Sequence, residues 1–207
     1  MKSTLRSLGE LGDDLVLAPE RWVVTSGVGE GVSLGDLVRE RRERADALER
    51  AVVLDTTHAR DGVLDIPSAL RAVASAKSVK KRALPGDLVV SRLRPYLRQI
   101  AYVHPRALES AGGRTLALSS EFYVLAPRRP SDDLAFLLPF LLGEHAQAIL
   151  AAAQEGGHHP RVPRSSLLAL RVPLAVIEDR QRAAREVHAA LDALYQASAR
   201  YHGLLGR

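Results

Sequence analysis

The chain has no cysteine, which excludes disulfide staples and thiolate metal sites and is compatible with a cytosolic location. Aromatic side chains make up only 4% of it, too few for the stacking platforms that bind single-stranded nucleic acid. Long apolar runs are missing as well. The most apolar one, residues 134–142, falls far short of the roughly 18 residues a membrane span needs. Lys2 and Arg6 have no continuous apolar stretch behind them, so the N-terminus does not read as a secretory signal. A soluble, non-membrane protein is expected. Catalytic signatures are absent too: there is no phosphate-cradling glycine loop followed by Lys-Ser/Thr, no Gly-x-Ser-x-Gly elbow and no His-Glu-x-x-His. Gly27-Val28-Gly29-Glu30-Gly31 lacks the strand–helix context of a nucleotide site. Asp87 and Glu121 do not make a nuclease pair, because the lysine expected just after the second acid is missing. His158 and His159 are adjacent and have no acidic or cysteine neighbours to complete a metal site. The expectation is a protein without catalytic residues, metal or cofactor of its own.

What is present points to a folded domain. With 207 residues the chain can bury a sizeable core, and 46% hydrophobic against 26% charged residues is a globular balance. Net charge is +5 and the pI about 9.9, which favours a polyanionic partner because each neutralised phosphate releases counterions. Of the 29 basic residues only Lys2, Lys77, Lys80 and Lys81 are lysine. Arginine suits bidentate contacts to phosphate or guanine, and a GC-rich genome produces the same bias.

Residues 1–19 read as a lead-in ending at Pro19, and Trp22, Val23 and Val24 as a short strand. Ser33 is placed to cap a helix, and the Arg/Glu-rich stretch 37–50 reads as a solvated helix with ion-pair spacing. Short strands are expected at 51–54, 63–66, 88–90, 100–103 and 122–125, with Pro85-Gly86-Asp87 as a turn. Ser131 with Asp132 and Asp133 predicts a helix start, kinked at Pro139, and a second helical segment spans 144–154. From residue 178 the pattern is helical to the end. The grammar is α+β: a mixed-sheet domain over 20–177 with an appended C-terminal coiled-coil helix over 178–207.

In that helix Ala184, Val187, Leu191, Leu194, Ser198, Tyr201 and Leu205 follow alternating steps of three and four, the spacing of a coiled-coil seam. One apolar stripe does not say which surface covers it. Val187, Leu191, Leu194, Tyr201 and Leu205 are therefore candidates either for pairing with another chain or for packing on their own domain.

Four segments carry a family resemblance. Ser33-Leu34-Gly35-Asp36-Leu37-Val38 opens the set; Pro85-Gly86-Asp87-Leu88-Val89-Val90-Ser91-Arg92-Leu93-Arg94-Pro95 follows; Ser119-Ser120-Glu121-Phe122-Tyr123-Val124-Leu125 is third. The last begins at Gly156-Gly157, passes Pro160-Arg161-Val162 and Leu167-Leu168-Ala169-Leu170, and ends at Val172-Pro173-Leu174. In order and spacing the chain resembles one target-recognition domain of the type I restriction–modification specificity subunits. That resemblance implies a non-enzymatic module that reads half of a bipartite site in double-stranded DNA and docks on a methyltransferase subunit, which would hold the S-adenosylmethionine. A complete subunit carries two recognition domains and two long helices. This chain has room for one of each, so it is expected to pair with itself or with a second half-subunit through the C-terminal helix. A regulatory or protein-interaction subunit that keeps the fold without reading DNA is the alternative.

The candidate DNA contacts are basic or small. Lys77, Lys80, Lys81, Arg82, Arg92, Arg94 and Arg98 are opposed between 77 and 98 only by Asp87, a plausible phosphate-tracking patch or else a solvated charged face. Ser91, Arg92 and Arg94 directly follow a buried strand, and strand alternation would put Arg92 and Arg94 on one face. The loop after 155 adds Gly157, His158, His159, Arg161 and Arg164. Ser120, with Ser119 beside it, is a phosphate or turn residue.

Overall fold

The apolar runs around 89, 101 and 124 lie side by side. In the computed structural model, which describes residues 30–46, 48–72, 79–157 and 160–205, they form an antiparallel sheet with the order β2 (Val38–Glu40), β10 (Phe122–Pro127), β7 (Leu88–Ser91), β8 (Ile100–Tyr102). Both faces of this sheet are covered. Leu88, Val90, Ile100, Tyr102, Tyr123 and Leu125 enter one apolar cluster with Leu137, Leu141, Leu150 and Leu167. The alternating residues Val89, Ala101, Val103, Phe122 and Val124 enter a second cluster with Leu54, Ile66, Leu116 and Leu118. Two-sided burial explains why these strands read as continuous apolar runs instead of alternating ones. A second sheet, β3 (Val52–Leu54), β9 (Leu116–Leu118) and β6 (Lys81–Ala83), has β3 and β9 parallel. Two small pairs join β1 (Gly31–Ser33) to β11 (Arg171–Pro173) and β4 (Ala59–Arg60) to β5 (Val63–Leu64). The architecture is α+β with a long last helix, as the sequence pattern implied.

The helices are α1 (Leu34–Leu37), α2 (Ile66–Arg71), α3 (Pro105–Ser110), α4 (Leu137–Leu142), α5 (Glu144–Ala152), α6 (Arg164–Leu168), α7 (Leu174–Glu178) and α8 (Arg180–Leu205). Two family-like segments distant in sequence are locked together here. The Ser33 hydroxyl donates to the Leu168 carbonyl at 2.7 Å, and the Leu34 N–H to the Leu170 carbonyl at 2.8 Å. A Cβ on Gly31 would stand 2.5 Å from the Val172 carbonyl oxygen, so only glycine admits this approach.

Several local expectations are corrected. The stretch 37–50 is not one helix: α1 ends at Leu37, β2 spans Val38–Glu40, residues 41–46 are not helical, and a 3-10 turn spans Leu48–Arg50. Its charges pair across strands, Arg82 with Glu43 and Lys81 with Glu40, and pairing with β10 overrides helix propensity. Ser131 does not cap a helix; α4 starts at Leu137, while Asp133 accepts from the Ala135 N–H at 2.9 Å. The lead-in, the strand expected at 22–24, Lys77, His158 and His159 lie outside the described residues.

The last helix is divided in its allegiance. Ala184 and Leu191 belong to the first apolar cluster, with Val187 packed against it, and Tyr195 belongs to the second. The Tyr195 hydroxyl accepts from the Leu64 N–H at 3.1 Å and donates to the Leu64 carbonyl at 3.4 Å. Burial pushes its phenol up to about 12, so it remains protonated and able to donate. Arg106 Nε donates to Asp192 at 3.0 Å, and His188 Nε2 lies 2.8 Å from Asp133 Oδ2. Leu191, expected at an intermolecular seam, is thus a core residue, 3% exposed, whereas Leu194 is 53% exposed. Leu191→Ala is expected to destabilise the domain by about 2–5 kcal/mol, and Leu194→Ala to change it by no more than about 0.5 kcal/mol. Urea unfolding of the two variants checks this, and equal midpoints would contradict it.

Candidate nucleic-acid interface

The Gly-Asp element is a structural pin. Gly86 has φ +92° with open space around it, so backbone conformation is what demands glycine. Asp87 is fully buried. Its carboxylate accepts from Arg41 Nε at 2.8 Å and Arg41 Nη2 at 3.0 Å, and from the Leu84 N–H at 2.8 Å. The fork holds residues 41–45 as they pass from one sheet to the other: the Arg41 N–H donates to Val124 in the central sheet, and the Ala45 N–H to Lys80 beside the second.

This crossing places Glu40, whose side chain is nearly buried, among cations. Lys81 Nζ lies 3.2 Å, Arg42 Nε 3.2 Å and Arg164 Nε 2.9 Å from its oxygens. Burial works to raise its pKa, but the bonds from Lys81 and Arg42 outweigh that and hold it below the ordinary carboxylate range. Lys81 Nζ also donates to the Phe122 carbonyl at 2.6 Å and stands 5.7 Å from the centre of the Tyr123 ring. The Arg92 guanidinium carbon is 5.4 Å from the same centre. The Tyr123 hydroxyl donates to the Val162 carbonyl at 2.8 Å, and the Val162 N–H donates to the Arg92 carbonyl at 2.9 Å. Arg161 forks onto Glu121 at 3.0 and 2.8 Å. The Arg161 bonds lower the Glu121 pKa against the opposing effect of burial, with further help from Arg92 and Lys81. Lys81, Arg92, Arg161 and Arg164, from segments far apart in the chain, therefore form one linked cluster: Lys81 and Arg92 stand at the Tyr123 ring, Arg164 shares Glu40 with Lys81, and Arg161 holds Glu121.

Beyond Arg92 the chain makes a tight projecting turn. Leu93 bridges Arg161, Pro95 is buried beside Gln147 and Leu150, and a 3-10 turn spans Pro95–Leu97. Arg94 and Arg98 bracket it at φ +45° and +47°. Each is a left-handed conformation that costs an arginine roughly 1 kcal/mol or more and survives only because the surroundings impose it. Arg94, Tyr96, Leu97 and Arg98 are exposed.

The other candidates divide. Lys80 is buried, 7% exposed. Arg82 follows Lys81 on a strand, so it faces the opposite way, where it pairs with Glu43. Ser91 is buried, and its hydroxyl accepts from the Leu93 N–H and donates to the Leu93 carbonyl, both at 3.1 Å. That side chain builds the turn and is unavailable to a ligand. Arg92 and Arg94 do not share a strand face, because the strand ends at Ser91. Ser119 accepts from the Glu121 N–H at 3.3 Å, a turn role, while Ser120 and Gly157 are exposed. Asp87 and Glu121 hold different arginines. Among the described residues there is no group of three or more His, Asp or Glu fit to hold a metal, and no helix is long and apolar enough to cross a membrane. Glu40, Tyr96 and Tyr123 do not stand out as site residues in the sequence, although Tyr96, an aromatic between arginines, carries a signal there. A cleft of about 570 Å³ lined by Arg129, Asp133, Ile177, Arg180 and His188 lies against α8, and none of its lining residues belongs to the basic cluster.

No protein-family model and no curated protein matches the chain. Solved structures do. The HsdS subunit from Thermoanaerobacter tengcongensis is 20% identical, with a TM-score of 0.54 over 81% of this chain and 43% of that one. A structure solved for complex assembly and conformational transition of the type I R-M system is 20% identical, with a TM-score of 0.53 over 82% of this chain and 44% of that one. The chain has the HsdS fold. It spans less than half the length of either HsdS-like match.

Within this HsdS-like domain, the Arg161–Glu121 fork is expected to leave a pH signature. A carboxyl held below its unfolded value of about 4.3 stabilises the fold fully above that value and loses its contribution as pH falls through the folded pKa. Glu121→Gln should therefore lower the urea midpoint at neutral pH, and the gap to the parent protein should close towards pH 3. A gap constant across that range would refute the assignment.

Proposed function

We propose that this chain is a non-catalytic DNA-recognition module: one target-recognition domain, over 20–177, that supplies sequence specificity to a restriction–modification or DNA methyltransferase complex. The observation that carries this reading is the clustering of Lys81 and Arg92 at the Tyr123 ring with Arg164, which shares Glu40 with Lys81, and Arg161, which holds Glu121. Cations fixed by carboxylates on rigid strands give a polyanion a pre-organised surface, which lowers the ordering cost of binding. The HsdS fold supports the same reading. Methyl transfer, with its S-adenosylmethionine, then falls to a partner subunit.

Purified protein is expected to bind double-stranded DNA with log K falling linearly against log salt, roughly 0.9 in slope for each phosphate neutralised. Fluorescence anisotropy across a salt series measures this. Replacing Arg92, Arg94 and Arg161 together with alanine should abolish DNA binding while methyltransferase binding persists. Salt-insensitive or absent binding by the parent protein, even with a methyltransferase subunit present, would leave the alternative of an interaction subunit that keeps the fold without reading DNA.

The second half of α8 supports pairing with another half-subunit, in a register shifted from the sequence-based seam. Ala190, Leu194, Ala197, Tyr201 and Leu204 are all exposed and follow steps of four, three, four and three, a heptad stripe. A two-fold pair would read a palindromic, gapped site. Leu194→Asp with Tyr201→Asp should convert the assembly to monomers in sedimentation experiments at unchanged melting temperature. A parent protein that is monomeric at every concentration would assign the stripe to a different partner.

A further inference from the structure

Among the described residues, the turn at the end of β7 differs from the basic cluster beside it. In that cluster Lys81, Arg161 and Arg164 each hold a carboxylate and Arg92 packs on the Tyr123 ring; Arg94 and Arg98 hold no described carboxylate. Between them stands Tyr96, 68% exposed, one of the most exposed large side chains of the domain. Beneath them Ser91, Pro95, Gln99 and Ile100 are buried, and the Leu97 N–H donates to Arg94 and the Arg98 N–H to Pro95 at 2.9 and 2.8 Å. The result is a stiff base carrying an aromatic tip flanked by two cations without a counter-charge among the described residues.

We infer that this turn is a wedge for double-stranded DNA: Arg94 and Arg98 each engage a phosphate, and Tyr96 enters between stacked bases at the step they flank. The inference rests on the DNA-recognition reading. Charge favours a polyanion over an apolar protein groove, because an arginine buried in such a groove without a carboxylate is costly. Geometry favours insertion over a surface contact. An aromatic or apolar side chain partly unstacks a base step when it is held rigidly, and left-handed conformations on both sides fix this tip. Position agrees as well, since Arg92, two residues before Arg94, already belongs to the basic cluster through Tyr123. Such an element adds specificity without hydrogen bonds to bases, because pyrimidine–purine steps open more easily than others.

The test uses duplexes recovered by the full chain from a randomised pool, then resynthesised with 2-aminopurine at adenine positions. The parent protein should raise 2-aminopurine fluorescence at one step. Tyr96→Ala should lose that signal and bind roughly tenfold or more weakly, with an unchanged salt slope, while Tyr96→Phe keeps both. Alanine is tolerated at so exposed a position without loss of fold. Parent-like affinity and fluorescence in Tyr96→Ala would overturn the wedge while leaving the DNA reading intact. Intact DNA binding with loss of methyltransferase binding would overturn it in favour of a protein contact. If the parent protein recovers no duplex, the DNA reading fails and the wedge with it.

Discussion

A buried carboxylate organises this domain. Asp87 is removed from water and surrounded by strands, where an unpaired charge is untenable. Arg41 answers it with two bonds in a planar fork, a geometry that lysine does not reproduce. The partner lies 46 residues earlier, so satisfying Asp87 fixes the path along which residues 41–45 leave the central sheet. Glu40 and Glu43 flank Arg41, and the same pin delivers them to Lys81 and Arg82. A charge requirement in the interior thereby determines the charge pattern at the surface.

That pattern is not a plain positive patch. Glu40 and Glu121 sit among the cations and hold them in place. Each carboxylate reduces the net field yet restricts long side chains that would otherwise lose entropy on binding. The exchange fixes the positions of the cations at the expense of net positive charge. Arg94 and Arg98 follow the opposite logic. Their side chains are not held by a described carboxylate; the backbone beneath them is strained and fixed instead.

The last helix joins two roles in one element. Its first turns complete both apolar clusters through Ala184, Leu191 and Tyr195, while its later turns expose a heptad stripe ending at Leu204. Because a straight helix repeats every 3.6 residues, both stripes fit on one cylinder about a third to a half of a turn apart. Periodicity alone merges them into a single seam. Leu191 belongs to one and Leu194 to the other, a division that only a packing partner reveals.

The strands at 88–90, 100–103 and 122–125, the long last helix and the α+β class are all legible in the order of the residues. Continuous apolar runs and turn residues encode local structure wherever burial is two-sided. The sequence also marked the segments from which the basic cluster is drawn, through their density of arginine. Which of those side chains share a surface is set by the packing of the folded chain. It turned Lys80 and Ser91 inward, sent Arg82 to the opposite face, made 38–40 a strand instead of part of a helix and set Glu40 among cations. Long-range pairing decides these outcomes: a side chain's direction follows from the strand it joins and the charge it must answer, and neither is a property of its neighbours in the chain.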